Sequence, residues 1–174
     1  MQERLRKIRL LLLDVDGVMT DGRIIYDDQG RESKVFDVKD GHGIKLLQRA
    51  GIRIGIITGR QSAVVDRRAE ELGIDLVYQG VKDKLVPLHE IVQKTGLSLE
   101  EIGYAGDDVI DLPVLRRVGF AATVADAVEE LKPHVHYVTH AGGGRGAVRE
   151  ICELLLKETG RWEMVMTRYF AESH

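Results

Sequence analysis

The sequence predicts an α/β protein built on a doubly wound, Rossmann-like parallel sheet. Short apolar runs with strand character alternate with amphipathic stretches of helical length, from Leu10–Leu13 to residues 137–138. That alternation is typical of β-α-β units joined by right-handed crossovers. Several of the runs also end in an acidic or small polar residue beside a glycine. Such residues are typical of strands that bring ligands to their carboxyl ends.

Hydrophobic periodicity and turn residues predict each element. The first strand ends at Asp14, and a β-hairpin insertion with an Asp- and Gly-rich turn follows over residues 23–37. The later elements, in order, are a helix that begins near Asp40 and ends at Gly51, a strand at 52–57, a helix at 62–72, a strand at 76–78, a helix opened by residues 82–84, a strand at 102–105, a helix that carries Asp111, a strand at 120–124, a short helix from Asp126, a short strand at 137–138 and a last helix at 146–157.

Length and composition favour one domain. The chain has 174 residues, of which 44% are hydrophobic, and this is enough to bury one core of ordinary size. We assign residues 1–160 to that domain and 161–174 to an irregular, mobile carboxyl-terminal tail. No segment between the predicted strands has room for a cap domain.

Three features suggest how an open site is covered and how copies associate. The glycine-rich loop Gly142–Gly146 is flexible enough for its backbone to approach a ligand closely. The tail is too apolar to be a terminus without contacts, so we expect the tail to order over an active site when ligand binds. A hairpin is too small to bury its own apolar residues, which predicts a self-association surface. The hairpin residues concerned are Ile24, Ile25, Tyr26, Val35 and Phe36.

Charge and cysteine content exclude several classes of partner and location. A net charge of -3 gives no basic field for nucleic acid or an anionic membrane. The longest apolar run, Leu10–Leu13, is too short to span a bilayer, and no signal-peptide pattern follows the charged start. The single Cys152 lies in an apolar-periodic stretch, as a core thiol would. We therefore expect a cytoplasmic protein without nucleic-acid or membrane partners.

Two carboxylates end the first strand. Asp14 and Asp16 are one residue apart, so strand alternation points both toward one site, and Gly17 allows a sharp turn there. Close carboxylates repel unless a hard cation lies between them or one holds a proton. Alone, an Asp-x-Asp pair is more often a strand followed by a turn.

Further polar residues join this pair at the same predicted sheet edge. Individually, Thr58 suits a helix cap, Lys84 a solvated surface and Asp107 a turn. Together they predict a phosphoryl-transfer site. In it Asp14 is the nucleophile that forms an aspartyl-phosphate, Asp16 is the general acid and base, and Mg²⁺ has Asp14 and Asp107 as side-chain ligands.

These residues resemble the four motifs of the haloacid dehalogenase superfamily of phosphohydrolases, in order and over the whole core. The motifs are Asp14-Val15-Asp16-Gly17, Thr58, Lys84 and Gly106-Asp107-Asp108-x-x-Asp111. The resemblance implies that Asp16 also ligates the metal through its main-chain carbonyl, and that Thr58 and Lys84 stabilise the phosphate. It further implies supporting roles for Asp108 and Asp111, with Asp111 positioning Lys84 or a metal-bound water. Without a cap, the chain resembles the capless group of the superfamily.

Within that group, residues 36–45, Thr58-Gly59-Arg60, Arg68 and residues 142–150 resemble the 3-deoxy-D-manno-octulosonate 8-phosphate phosphatase family. The resemblance implies a Mg²⁺-dependent homotetramer that serves lipopolysaccharide synthesis. It also implies substrate contacts from Asp16, Lys39, Asp40, Gly41, Lys45, Arg60, Arg68 and Lys84. Clustered cations suit a substrate that carries a carboxylate as well as a phosphate. The competing interpretation of Lys45 and Arg68 is a solvated helix face.

Three other functions fit part of the pattern. A phosphatase for another sugar acid phosphate, such as N-acylneuraminate 9-phosphate, needs nearly the same groups. A receiver-like signalling module also groups acidic residues, a Thr and a Lys on a doubly wound sheet, but it carries its acidic pair and its phospho-acceptor on different strands. A pseudo-enzyme scaffold is disfavoured because Asp14, Asp16, Lys84 and Asp107 are all present.

Overall fold

The computed structural model describes residues 1–170 and confirms the predicted parallel sheet. Six strands pair in the order β5-β4-β1-β6-β7-β8, all parallel, while β2 and β3 form a separate antiparallel hairpin. The strands are β1 (Leu10–Leu13), β2 (Ile25–Tyr26), β3 (Glu32–Ser33), β4 (Arg53–Ile57), β5 (Leu76–Tyr78), β6 (Ile102–Gly106), β7 (Phe120–Thr123) and β8 (Tyr137–Val138). Among residues 1–170, this hairpin is the only sheet outside the main one, and no cap domain is present.

Helices cover both faces of the sheet. They are α1 (Gln2–Lys7), α2 (Val38–Arg49), α3 (Ala63–Leu72), α4 (Leu85–Thr95), α5 (Leu112–Leu115), α6 (Ala147–Glu158) and α7 (Trp162–Phe170), with 3₁₀ turns at Leu99–Glu101, Val109–Asp111 and Glu129–His134. Within the described part of the chain, none of these helices combines the length and the apolarity that a bilayer crossing requires.

The central strand β1 shows why the chain packs in three layers. Leu11 and Leu13 belong to a core cluster shared with α1, α2, α3 and α6, whereas Leu10 and Leu12 belong to a second cluster shared with α4 and α5. All four leucines are fully buried. A strand covered on both faces is apolar at every position, which explains the continuous leucine run.

The strand register places the ends of three neighbouring strands at one level. Leu13 of β1 lies opposite Ile56 of β4 and Ala105 of β6. The residues that follow these strands therefore meet at one edge of the sheet, where the sequence predicts the site.

Several local predictions differ from the structure. Helix α2 begins at Val38, before Asp40, because the Asp37 carboxylate caps it by accepting the N–H groups of Lys39 at 2.6 Å and Asp40 at 3.2 Å. The short helix predicted from Asp126 is wrong, since a 3₁₀ turn forms later, at Glu129–His134. Helix α1 was not predicted.

The tail was predicted to be irregular, and this is wrong for residues 162–170, which form α7. Val165 is buried in the core cluster below α6, and Trp162 and Met166 pack against it. Met164, Tyr169 and Phe170 are 58%, 45% and 76% exposed, so only part of the apolar surface of the tail packs on the core. Mobility of the tail stays a prediction, and residues 171–174 lie outside the described part of the chain.

Candidate active site

Three of the predicted site residues follow neighbouring strands. Asp14 follows β1, Thr58 follows β4 and Asp107 follows β6, with β1 between the other two strands. The Asp14 N–H donates to the Ala105 carbonyl at 3.0 Å, and the Thr58 N–H donates to the Tyr78 carbonyl at 2.9 Å. Asp14 and Thr58 are buried and Asp107 is half-buried. The structure therefore brings these residues to one edge.

Lys84 connects the strands from the turn before α4. Its Nζ donates to Asp14 Oδ2 at 2.6 Å, to Asp111 Oδ1 at 2.6 Å and to the Tyr104 hydroxyl at 3.1 Å. These partners use all three ammonium protons. Burial opposes the charge on Lys84, but Asp14 and Asp111 prevail and raise its pKa. Lys84 is therefore a buried cation that holds one oxygen of Asp14.

Asp111 is fully buried and has no free oxygen. Its Oδ1 also accepts the Tyr104 hydroxyl at 2.5 Å, and its Oδ2 accepts the N–H groups of Asp107 at 3.0 Å and Asp108 at 3.3 Å. Its contact with Lys84 is the one expected of a positioning residue. Asp108 is exposed and caps the next 3₁₀ turn, where its Oδ1 accepts the Val109 N–H at 2.7 Å.

The two remaining carboxylates carry raised pKa values. Burial raises the pKa of Asp14 to about 6, although Lys84 opposes the shift. Burial also raises the pKa of Asp107 to about 7, and repulsion from Asp14 and Asp111 adds to this. A nearby cation would stabilise both ionised carboxylates.

The donor set fits a hard divalent cation. Carboxylate oxygens of Asp14, Asp107 and Asp111 lie within 4.8 Å of one another. Because Asp111 is saturated with hydrogen bonds, Asp14 and Asp107 are the members of this group with oxygens left to ligate a metal, and Mg²⁺ prefers such oxygens. This group comprises side-chain oxygens only. The predicted main-chain ligand, the Asp16 carbonyl, therefore stays a prediction.

Asp16 lies against the hairpin. Its Oδ1 accepts Lys34 Nζ at 2.5 Å, and Arg60 Nε is 4.0 Å from its Oδ2. Glu32 of β3 joins both cations, 2.8 Å from Arg60 and 3.3 Å from Lys34. The hairpin thus surrounds the predicted general acid and base with charged groups.

Comparison with known proteins identifies the family. Residues 77–150 match the model of the haloacid dehalogenase-like hydrolases. The 3-deoxy-D-manno-octulosonate 8-phosphate phosphatase KdsC of Yersinia pestis is 50% identical over 88% of this chain and 82% of that protein, and the Escherichia coli K12 enzyme of the same name is 47% identical over the same shares. The chain belongs to this phosphatase family.

A solved structure of a family member resembles the whole fold. The phosphatase of Moraxella catarrhalis, determined with a magnesium ion, a phosphate ion and a KDO molecule, is 43% identical. The alignment covers 97% of each chain with a TM-score of 0.94. The resemblance to the superfamily and to this family, first indicated by the motifs, is confirmed.

Most of the residues for which the family resemblance implies substrate contacts form contacts within the protein. Lys45 Nζ donates to the Leu72 carbonyl at the end of α3, and Arg68 stacks over the Phe36 ring at 5.5 Å. Asp40 Oδ1 accepts the Arg149 N–H of α6 at 2.8 Å. In residues 1–170, no polar contact of Lys39, Asp40, Lys45 or Arg68 reaches Asp14, Asp16 or Lys84, and Gly41 packs against Arg68. Their substrate roles stay predictions, whereas Arg60 lies beside Asp16.

Sequence reasoning missed Tyr104, Lys34 and Glu32. Tyr104 is a fully buried β6 residue whose hydroxyl joins the Lys84 network. A tyrosine in an apolar strand that ends in Gly-Asp-Asp was the available signal, because a buried hydroxyl needs a partner. Lys34 and Glu32 are two residues apart, so strand alternation placed them on one face of the hairpin.

The buried Asp40 provides a test of the contact between α2 and α6. Its Oδ2 has no hydrogen-bond partner, and burial raises its pKa to about 6, against an ordinary value near 4. The proton is therefore bound more tightly in the folded state. The resulting stabilisation is complete below about pH 4 and is lost as the pH rises through about 6.

Asp40→Asn keeps an acceptor oxygen and stays neutral at every pH. We expect its free energy of unfolding, relative to wild type, to increase by up to about 3 kcal/mol between pH 4 and pH 8. Urea unfolding at both pH values measures this difference. Asp75→Asn, at an exposed carboxylate, is the control. If the free energy of unfolding of Asp40→Asn differed from that of the wild type by the same amount at both pH values, the explanation by a buried carboxyl group would be contradicted.

Proposed function

We propose that this chain is a Mg²⁺-dependent phosphatase that hydrolyses 3-deoxy-D-manno-octulosonate 8-phosphate and releases the free sugar acid and phosphate for lipopolysaccharide synthesis. The observation that carries the mechanism is the buried contact of 2.6 Å between Lys84 and Asp14, next to the Asp107 carboxylate. Membership in the phosphatase family supports the assignment of this substrate.

Asp14 is the nucleophile. Its Oδ2 is held by Lys84 and its Oδ1 accepts the Val15 N–H at 2.7 Å, so the carboxylate is fixed before substrate arrives. With a pKa of about 6 it is mostly ionised at neutral pH. One carboxylate oxygen forms a bond to phosphorus as the bond between phosphorus and the sugar oxygen breaks, which gives an aspartyl-phosphate.

Asp16 moves the protons in both halves of the reaction. It donates a proton to the leaving sugar oxygen and then takes one from the water that attacks the aspartyl-phosphate, which regenerates the Asp14 carboxylate and releases phosphate. The buried Lys84 neutralises charge at the nucleophile, and the Thr58 hydroxyl donates to the phosphate. Asp14, Asp107 and the Asp16 carbonyl would hold Mg²⁺, which would supply positive charge to the phosphoryl oxygens.

The substrate carboxylate needs cations outside the phosphate site. Arg60 lies beside Asp16 and is partly exposed, so it suits this task, whereas Lys34 is buried between Asp16 and Glu32. Lys39, Asp40, Gly41, Lys45 and Arg68 remain proposed substrate contacts on the strength of the family resemblance alone. The alternative sugar acid, N-acylneuraminate 9-phosphate, would use the same groups, so it belongs in the assay that tests the proposal.

Turnover with and without metal tests the proposed reaction. We expect the highest kcat/KM on 3-deoxy-D-manno-octulosonate 8-phosphate with Mg²⁺, loss of activity in excess chelator and recovery when Mg²⁺ is restored. Asp14→Asn removes the nucleophile and should lower kcat by about 10³-fold or more, while Asp75→Asn keeps it. A higher kcat/KM on N-acylneuraminate 9-phosphate would assign that compound as the substrate instead. Unchanged turnover by Asp14→Asn would overturn the covalent mechanism.

We also propose a homotetramer that assembles through the hairpin. Ile24, Tyr26 and Val35 of the hairpin are 59%, 58% and 65% exposed, and Val38 beside it is 80% exposed. A two-stranded hairpin is marginal alone, and several exposed apolar side chains on one small element are typical of an association site. Phe36, by contrast, is half-buried over Arg68.

Light scattering at micromolar concentration should give the mass of four chains. Val35→Asp places a charge in the interface and should lower that mass. Val86→Asp, at a valine of similar exposure on α4, is the matched control and should leave the mass unchanged. A monomer mass for the wild type would refute the tetramer.

We place the enzyme in the cytoplasm, in line with its single cysteine, which is a fully buried thiol whose pKa burial raises. Cell fractionation tests this location, and recovery with an exported marker would exclude it.

The carboxyl-terminal tail is proposed to close an active site when ligand binds. Residues 162, 165 and 166 pack on the core, so the part free to change position begins beyond them. Tyr169 holds this part against α2, where its hydroxyl accepts from Arg49 at 2.6 Å and lies 3.1 Å from His42 Nε2. These exposed contacts are weak enough to exchange for a ligand contact.

Deleting residues 167–174 tests closure without removing the core residues of α7. We expect KM for the sugar phosphate to rise by about fivefold or more, with little change for p-nitrophenyl phosphate, which offers few groups to hold. Met164→Ala, at an exposed α7 position, is the control. Equal losses on both substrates would indicate a folding role, and no loss would remove the proposal.

A further inference from the structure

The loop between β8 and α6 packs against the turn that follows the nucleophile. We call residues 142–146 the glycine loop and residues 17–21 the aspartate turn. The Gly144 N–H donates to the Val18 carbonyl at 3.0 Å. A Cβ at position 143 would overlap the carbonyl groups of Gly17 and Thr20, and one at position 144 would overlap the backbone at Thr20 and Asp21. Because these are backbone atoms, no side chain can swing away to make room.

Gly17 is enclosed on its other side by the active site. A Cβ at this position would overlap the Asp107 carboxylate. Asp16, the proposed general acid and base, precedes Gly17 in the chain. The Gly17 peptide therefore lies between the glycine loop and Asp107, directly after Asp16 in the chain.

The glycine loop is held by carboxylates that do not belong to the catalytic group. Asp126 Oδ1 accepts the Gly143 N–H at 2.9 Å. At the start of the loop, the Glu150 carboxylate accepts the N–H groups of His140 at 2.9 Å and Ala141 at 3.1 Å, and the Tyr137 hydroxyl at 2.6 Å. These bonds fix the loop independently of the turn it supports.

We propose that Gly143 and Asp126 are positioning residues: Asp126 holds the glycine loop, and the bare backbone at Gly143 sets the place of Gly17 and, through it, of Asp16. This inference rests on the proposed function. The expectation that the glycine loop approaches a ligand stays a prediction; in the structure Gly143 and Gly144 lie against the backbone of the aspartate turn, and Gly142 lies against the Asp126 carboxylate.

A displaced Asp16 has a distinctive chemical effect. Protonation of the leaving oxygen matters most for a sugar alkoxide, which is a poor leaving group, and least for p-nitrophenolate, which leaves without a proton. A misplaced general acid therefore slows attack on the two esters unequally, whereas partial unfolding removes active enzyme and slows both alike.

Gly143→Ala is a steric test, because the backbone of Gly143 is not in the left-handed region and alanine is allowed there. We expect kcat on the sugar phosphate to fall by about 10- to 100-fold with KM nearly unchanged. The pre-steady-state burst of p-nitrophenolate, which reports phosphorylation of Asp14, should keep its amplitude and stay within about threefold of the wild-type rate.

Two further variants separate positioning from stability. Asp126→Asn keeps the acceptor for the Gly143 N–H and should retain kcat within about twofold, while Asp126→Ala should lose part of it with the same leaving-group dependence. Gly96→Ala lies in open space with a φ of 71°, so it should lower Tm without changing either rate.

The outcomes divide clearly. Wild-type kcat in Gly143→Ala, or equal loss on both esters with a lowered Tm, overturns the positioning role. If the wild type proves inactive on 3-deoxy-D-manno-octulosonate 8-phosphate, the proposed substrate fails. The rates of the wild type and of Gly143→Ala are then compared on p-nitrophenyl phosphate and on the sugar phosphate that the wild type hydrolyses best. Unequal losses on these two esters would still support the positioning role of Gly143.

Discussion

The buried ion pair of Lys84 with Asp14 and Asp111 is the interaction on which the rest of the structure depends. Removing an ammonium and two carboxylates from water costs several kcal/mol for each ion, and only close, saturated contacts offset that cost. All three donors of Lys84 are used, and both oxygens of Asp111 are occupied. Loss of one member would leave a buried charge without compensation.

This ion pair explains why the sheet is built as it is. Its members come from the residue after β1, the 3₁₀ turn after β6 and the turn before α4, and Tyr104 in the middle of β6 adds a hydrogen bond to each of Lys84 and Asp111. A shift of one residue in the pairing of β1 with β6 would turn Asp14 away from Lys84. The contact of Asp14 with Lys84 therefore requires the observed register. The continuous leucine run of β1 supplies hydrophobic free energy that holds the strand between the two core clusters.

The sequence was informative where local pattern and topology agree. Alternating strands and helices predict a parallel sheet, and a parallel sheet brings the residues after β1, β4 and β6 together, so Asp14, Thr58 and Asp107 could be placed without coordinates. Tyr104 and Lys34 could not, because their roles depend on which buried groups lie opposite them. Asp40 is a different case: the family resemblance implied a substrate contact, which stays a prediction, and only the coordinates could show that its Oδ1 accepts a backbone N–H at the start of α6.

The position of the hairpin has a consequence for how such an enzyme can change over evolutionary time. One small element, inserted directly after the aspartate turn, presents apolar side chains outward and surrounds Asp16 with Lys34 and Glu32. If copies associate through the hairpin as proposed, substitutions that tighten this contact would alter the electrostatic surroundings of Asp16, the proposed proton-transfer group. Substitutions that raise the catalytic rate would in turn reshape the proposed contact surface. In a protein with a separate cap domain, catalytic rate and self-association can change independently, whereas here substitutions in one hairpin affect both.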